Sequence, residues 1–315
     1  MKSKRLPQFT HMQKMHGFSL IEFLVASALS MIVLIAATSG YFSTRTLNNT
    51  ASERMNAQQD LRNAANMITR DARMAGSFGC FNMATHEAKD VLQDKGAQFF
   101  SLKDPFLPVK EVGSSGFTEG GFVPDTKNKA LIFQYGTDDS ANDATRVVSS
   151  CNVLARTNTA IKTIADARAA DALNIATDDE DGTISIMRHT VNAYVIGTAG
   201  SQKGLFRFQL DDDGTWSNPQ LLMKGVDSWT INYTYISQCP TGTVPEEKFE
   251  QTNTFKKTNP TGSTVTTPPT PVLISLKLKG KGTNGDIAAG TDNNVQIYNI
   301  NANVRGGNTC ADRAV

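Results

Sequence analysis

The sequence is poor in the residues from which most active sites and metal centres are built. Its four histidines, His11, His16, His86 and His189, are scattered over 315 residues, and neither H-E-x-x-H nor C-x-x-C occurs. The spacing that puts two metal ligands on one helix face or one loop is therefore missing. G-x-S-x-G and the Walker A pattern are absent too. Net charge is equally scarce: 31 Lys and Arg face 30 Asp and Glu, leaving +1, which excludes the basic bias of a nucleic-acid groove. Long apolar runs are lacking with one exception, so a polytopic membrane protein is excluded as well. Gly280-Lys281-Gly282-Thr283-Asn284-Gly285 satisfies G-x-G-x-x-G, but no amphipathic helix follows to receive a pyrophosphate, and it reads as a hairpin loop. This inventory points to no enzyme, no metal and no cofactor.

The exception lies near the start. From Phe18 to Gly40 the chain reads FSLIEFLVASALSMIVLIAATSG, 23 residues whose one charge is Glu22. About 20 apolar residues are enough for a helix to cross a bilayer. Ahead of it, residues 1–17 carry Lys2, Lys4, Arg5 and Lys14 and no acid. By the positive-inside rule this flank stays in the cytoplasm and the rest of the chain lies outside the inner membrane. A cleaved secretory signal is the rival reading, because Ala26-Ser27-Ala28 offers an A-x-A site. Cutting there would leave an apolar core of only Phe18 to Val25, with a carboxylate inside it, and would expose LSMIVLIAA as a new N-terminus.

Glu22 is the sharper signal. A carboxylate at the bilayer centre costs of order 2 to 3 kcal/mol, less near an end, and calls for a partner. No Lys, Arg or His lies in the span. The partner then comes from another chain, or is an α-amino group made by cutting nearby.

The stretch His16-Gly17-Phe18-Ser19-Leu20-Ile21-Glu22-Phe23 resembles the processing site of type IV prepilins. The resemblance implies that a membrane peptidase cuts after Gly17 and N-methylates Phe18. It also implies that Glu22 pairs with the N-terminal amine of a neighbouring subunit during assembly. Such a pair neutralises two charges that neither group tolerates alone in an apolar filament core. Major pilins usually carry a proline where this chain has Ser39, so the departure undercuts a family-like melting there, although Gly40 weakens a helix. Asp71-Ala72-Arg73-Met74-Ala75-Gly76-Ser77-Phe78-Gly79-Cys80 is similar to the helix end of PilW-type minor pilins. Gly204-Leu205-Phe206-Arg207, with Leu221 to Val226, resembles a second region of that family.

Past the span, Leu47, Ala51, Met55, Leu61, Ala65, Ile68 and Ala72 recur about every 3.5 residues, which predicts a continuing amphipathic helix packed through that stripe. Gly76 is its expected stop. Phe18 to Ala75 is 58 residues, roughly 85 Å of helix. From Cys80 onward the texture changes to short strands. Candidates are Ala130 to Tyr135, Arg146 to Ala155, Thr183 to His189, Ala193 to Ile196, Leu205 to Leu210, Trp229 to Ile236, Pro271 to Lys279 and Val295 to Val304. Ile274, Leu276 and Leu278 alternate with Ser275, Lys277 and Lys279, giving one buried face and one solvated face with its lysine row. Residues 85–128 look irregular, and Asn253 to Pro271, rich in Thr and Pro, reads as a mobile surface loop. Asp178 to Gly182 and Asp211 to Gly214 read as acidic turns, and neither has the spaced oxygen ligands of an EF-hand.

Four cysteines, Cys80, Cys151, Cys239 and Cys310, fall in a region expected to face an oxidising periplasm, and four allow three pairings. Cys80–Cys151 and Cys239–Cys310 are the expected bridges, the first tying the helix end to an early strand and the second tethering the C-terminal tail. The whole reads as an α+β, pilin-like chain: a basic leader 1–17 that is removed, a helix 18–75 with 18–40 in the membrane, and a periplasmic β-rich head 76–315, mostly antiparallel, on which the helix packs. The resemblance implies a non-enzymatic minor pilin that primes a type IV pilus and sits at or near its tip, first in the inner membrane and then at the cell surface. Its implied partners are the prepilin peptidase, the inner-membrane platform protein, other minor pilins, the major pilin and a large tip adhesin, with no nucleic acid bound directly. The alternatives are a type II secretion pseudopilin of the J kind and a membrane-anchored periplasmic binding protein.

Overall fold

One helix, α1 (Leu20–Met74), carries the N-terminal part of the computed structural model, which describes residues 17, 19–81, 106–138, 146–156, 161–169, 183–211, 214–217, 219–240, 243, 246–258, 269–280, 296–304 and 310. The chain divides into two units, Met1–Ala51 and Ser52–Val315. In the first, the described side chains from Leu20 to Asn49 are all exposed, and the helix is long and apolar enough to cross a membrane. Its hydroxyls fold back on the helix: Ser30 donates to the Ala26 carbonyl at 2.7 Å, Thr38 to Leu34 at 2.7 Å and Thr44 to Gly40 at 2.8 Å. Such back-bonding satisfies each hydroxyl within the helix itself, as a lipid-facing helix would need.

The second unit begins inside α1. From here the helix has a buried stripe of Ala64, Ile68, Asp71 and Ala72, continued by Ala75 just beyond its end. Small residues on that stripe let the helix approach the strands closely. Leu47 and Met55, expected on the same stripe, are exposed. Gly76 ends the helix at φ 78°, donating its N–H to the Gln134 carbonyl at 2.9 Å; only a residue without Cβ takes that conformation cheaply.

Among the described residues twelve strands follow in two sheets, and every described pairing is antiparallel. The spine of the larger sheet is the 15-residue β6 (Ser185–Ala199). On one side it pairs with β3 (Lys129–Asp138) and then β2 (Phe122–Pro124); on the other it pairs with β4 (Arg146–Ser149) and then β7 (Gln202–Gln209). β1 (Val109–Gly113), β5 (Leu154–Arg156) and β8 (Gln220–Lys224) extend it through β3, β4 and β7. The smaller sheet has the order β10 (Lys248–Thr252), β9 (Val226–Gln238), β11 (Leu273–Gly280), β12 (Gln296–Asn303). The main core joins α1 to both sheets through Ile68, Phe133, Tyr194, Trp229, Ile231 and Leu276. A second cluster, Phe117, Phe122, Phe206, Phe208 and Trp216, covers the far face of the larger sheet. A short α2 (Ile164–Ala169) closes a third. The α+β, pilin-like layout expected from the sequence is present.

Several boundaries differ from expectation, each for a local reason. The strands expected at Thr183 to His189 and Ala193 to Ile196 are one, β6, which begins at Ser185 and runs through both. Its polar middle is buried and bonded: Thr190 shares a 2.9 Å hydrogen bond with Thr137, and Asn192 reaches Asp71. Arg146 to Ala155 is a hairpin, not one strand, because Ser150 turns the chain; its N–H donates to the Val153 carbonyl, and its Oγ accepts from Asn152 and Val153. The irregular 85–128 stretch contains β1 and β2, and Phe117 is fully buried. The loop 253–271 is anchored at both described ends. Phe255 packs edge-on to Tyr233 at 5.4 Å, the Lys256 N–H donates to the Tyr235 hydroxyl, and Thr270 and Pro271 are buried. Residues 82–105, the Asp178 to Gly182 turn, and Lys281 to Gly285 lie outside the described residues.

Candidate functional site

The first turn of α1 explains how its carboxylate is held. Ser19 precedes the helix, and its Oγ accepts from the Ile21 N–H at 3.4 Å. Glu22, three residues on, accepts the Ser19 N–H on Oε2 at 3.0 Å. This is a capping box, in which two donors with no helical partner are satisfied reciprocally. The S-x-x-E spacing of Ser19 and Glu22 is the sequence signal for this cap. Glu22 thus has a reason to stand here within its own chain: a carboxylate at a helix N-terminus also faces the positive end of the helix dipole. Its other oxygen, Oε1, makes no hydrogen bond among the described residues, so the carboxylate keeps an acceptor for an incoming cation. Gly17 is exposed with open space where a Cβ would stand. Phe18 lies outside the described residues.

Around this turn Leu20, Ile21, Phe23, Leu24 and Val25 are 55% to 80% exposed. Such a surface is unstable in water and demands lipid or other apolar helices. Residues 12–38 match the prokaryotic N-terminal methylation motif. This N-terminal segment is type IV prepilin-like, which supports a pilin-like or pseudopilin protein. The motif implies processing by prepilin peptidase and assembly with other pilins, and it points to a structural protein anchored by its apolar helix in the inner membrane. No curated protein and no solved structure matches the chain.

At the other end of α1, the structure gathers a cluster that sequence reading did not assign. Asp71, only 4% exposed, accepts the Tyr194 hydroxyl at 2.6 Å and the Asn192 amide at 2.9 Å on Oδ2, and the Tyr135 hydroxyl at 2.9 Å on Oδ1. Arg207 Nε stands 3.8 Å from the same carboxylate. A charge buried in a core needs both a counter-ion and hydrogen-bond donors, and here β3, β6 and β7 supply them. Burial first, and the Asp71 charge second, push both phenols above the ordinary tyrosine range. Two of the stretches likened to PilW-type pilins, the helix end with Asp71 and the segment ending in Arg207, meet at this ion pair. The available signal was a carboxylate lying between Ile68 and Ala72 on the buried stripe.

Two disulfides, Cys80–Cys151 and Cys239–Cys310, flank the core. The first joins the segment leaving α1 to the β4–β5 turn, and the second joins the end of β9 to the chain beyond β12. The Gly214 N–H donates to the Asp211 carbonyl at 2.9 Å, while Asp212 and Asp213 lie outside the described residues. Among the described residues no three of His, Cys, Asp and Glu gather where they could hold a metal ion.

Proposed function

We propose that this chain is a minor pilin of the PilW type, which primes assembly of a type IV pilus and sits at or near its tip. The observation that carries the reading is the methylation motif set directly against an exposed apolar helix whose one early charge is Glu22. In this reading the leader 1–17 is removed after Gly17, Phe18 is N-methylated, residues 18–40 hold the inner membrane, and the head faces the periplasm until the subunit enters the pilus. Glu22 then receives the amine of a neighbouring subunit. A covalently braced β head selects among other minor pilins, the major pilin, the platform protein and a tip adhesin. The partition of roles follows from physics: the apolar helix is generic, whereas the head offers specific shape and hydrogen bonding.

A strain lacking the gene, scored for surface pili and for type II secretion, tests this. Loss of pili with secretion intact is the expected result. Loss of secretion with normal piliation would assign the chain to a secretion pseudopilus of the J kind instead.

A further inference from the structure

The smaller sheet buries one face and leaves the other open as a cleft of about 650 Å³. Ile231, Tyr233, Ile274, Leu276 and Leu278 point into the core, so strand alternation turns Asn232, Thr234, Ser275 and Lys277 outward. The register then builds a grid. Ser275 stands between Asn232 and Asn301, and Lys277 between Thr230 and Asn299. Rows lie about 4.8 Å apart across strands and roughly 6.8 Å apart along them. Gln251 and Asn253 close the β10 side.

Among the described residues the lining consists of five amides, three hydroxyls and the Lys277 ammonium, with no carboxylate and no aromatic ring. We propose that this cleft binds an acidic polysaccharide, its hydroxyls on the amide grid and its carboxylates at Lys277. An amide presents a donor and an acceptor side by side, as vicinal sugar hydroxyls do, and each Ser or Thr both donates and accepts. Lys277, with Lys279 next along the same face, sets the sign of the ligand. Duplex DNA calls for a denser row of cations, and single strands call for stacking rings. A protein partner calls for apolar anchors. The cleft has none of these. Binding here is a property of the head and does not rest on the pilus reading.

The test uses the purified full-length chain in detergent micelles, titrated with alginate as polyuronate, dextran as neutral control and double-stranded DNA as competing polyanion. Saturable alginate binding is expected, with dextran bound at least several-fold more weakly. Lys277→Gln should weaken alginate binding roughly tenfold, the scale of one charge-assisted hydrogen bond. Asn301→Asp, which adds a negative charge to the grid, should weaken it by a similar factor. Both positions face solvent, and an unchanged unfolding midpoint confirms that the variants are folded. Absence of alginate binding, dextran bound equally well, DNA bound in preference, or alginate binding indifferent to both substitutions would each overturn the proposal.

Discussion

The hydroxyl of Tyr194, in the middle of β6, donates to the carboxylate of Asp71, in the last turn of α1, across 2.6 Å. This bond joins the longest strand of the head to the helix that carries the membrane segment. Asp71 also accepts from Tyr135 and Asn192, so the last turn of α1 is tied to β3 and β6 by three hydrogen bonds to one carboxylate.

Tyr194→Phe should destabilise the head by about 1.5 to 3 kcal/mol, the usual contribution of a hydrogen bond to a charged group. Asp71→Ala should cost more, about 3 to 5 kcal/mol, since it leaves Arg207 without its buried counter-charge. Denaturant unfolding of the full-length chain in detergent measures both. Equal costs for the two variants would show that the ion pair adds nothing to the phenol bond.

The buried phenols make stability fall in alkali. Tyr135, Tyr194 and Tyr233 are all raised above the ordinary value near 10, chiefly by burial, and Tyr235 is raised to about 12. Above about pH 10 the unfolded chain releases these protons while the folded chain retains them. The folded state then binds more protons, and the free energy of unfolding declines as pH rises. The contribution is fully present below pH 10 and is lost progressively through the folded values. Unfolding midpoints from pH 7 to 12, read beside tyrosinate absorbance, should show the decline, and Tyr233→Phe should reduce its slope.

The turn at the start of α1 separates two roles of one carboxylate. Ser19→Ala removes the cap acceptor, costing the helix start about 1 kcal/mol, yet keeps the charge. Glu22→Gln keeps an acceptor for the Ser19 N–H and removes the charge. Incorporation into pili should survive the first and fail with the second, by immunoblot of sheared filaments. Mass spectrometry of the same material should find N-methyl-Phe18; an N-terminus at Leu29 would instead establish a cleaved secretory signal.

Each disulfide spans 71 positions, for which chain entropy gives roughly 4 kcal/mol of stabilisation. Cys239→Ser with Cys310→Ser should lower the unfolding free energy by about that amount while leaving α1 helical. Non-reducing peptide mapping of protein from the periplasm should recover Cys80 with Cys151 and Cys239 with Cys310. A Cys80 to Cys239 peptide would show that the two ties are divided differently.

Much of this was legible in the chain itself. The apolar run, the single Glu22 and the basic leader are local signals that survive in any context, because bilayer insertion depends on composition along a short segment. The alternation in β11 was likewise readable, since one of its faces meets water. The continuity of β6 was not, and it read as two strands, because both of its faces are buried and the polar residues of its middle are satisfied by partners far away in sequence; alternation vanishes when both sides of a strand are covered. β10, exposed along its length, has no apolar period to read, and β1 and β2 are too short to show one.

The sequence by itself determined that a membrane-length helix precedes a β-rich head. It also determined where the charges lie that an apolar helix must explain. Only the tertiary structure decided that Asp71 meets Arg207, that Tyr233 reaches Glu111 at 2.7 Å, and that polar side chains from four strands share one open cleft. Those pairings span more than a hundred residues in two cases and depend on strand register. Register is set by the packing of the whole core, a cooperative property that no short window of sequence contains.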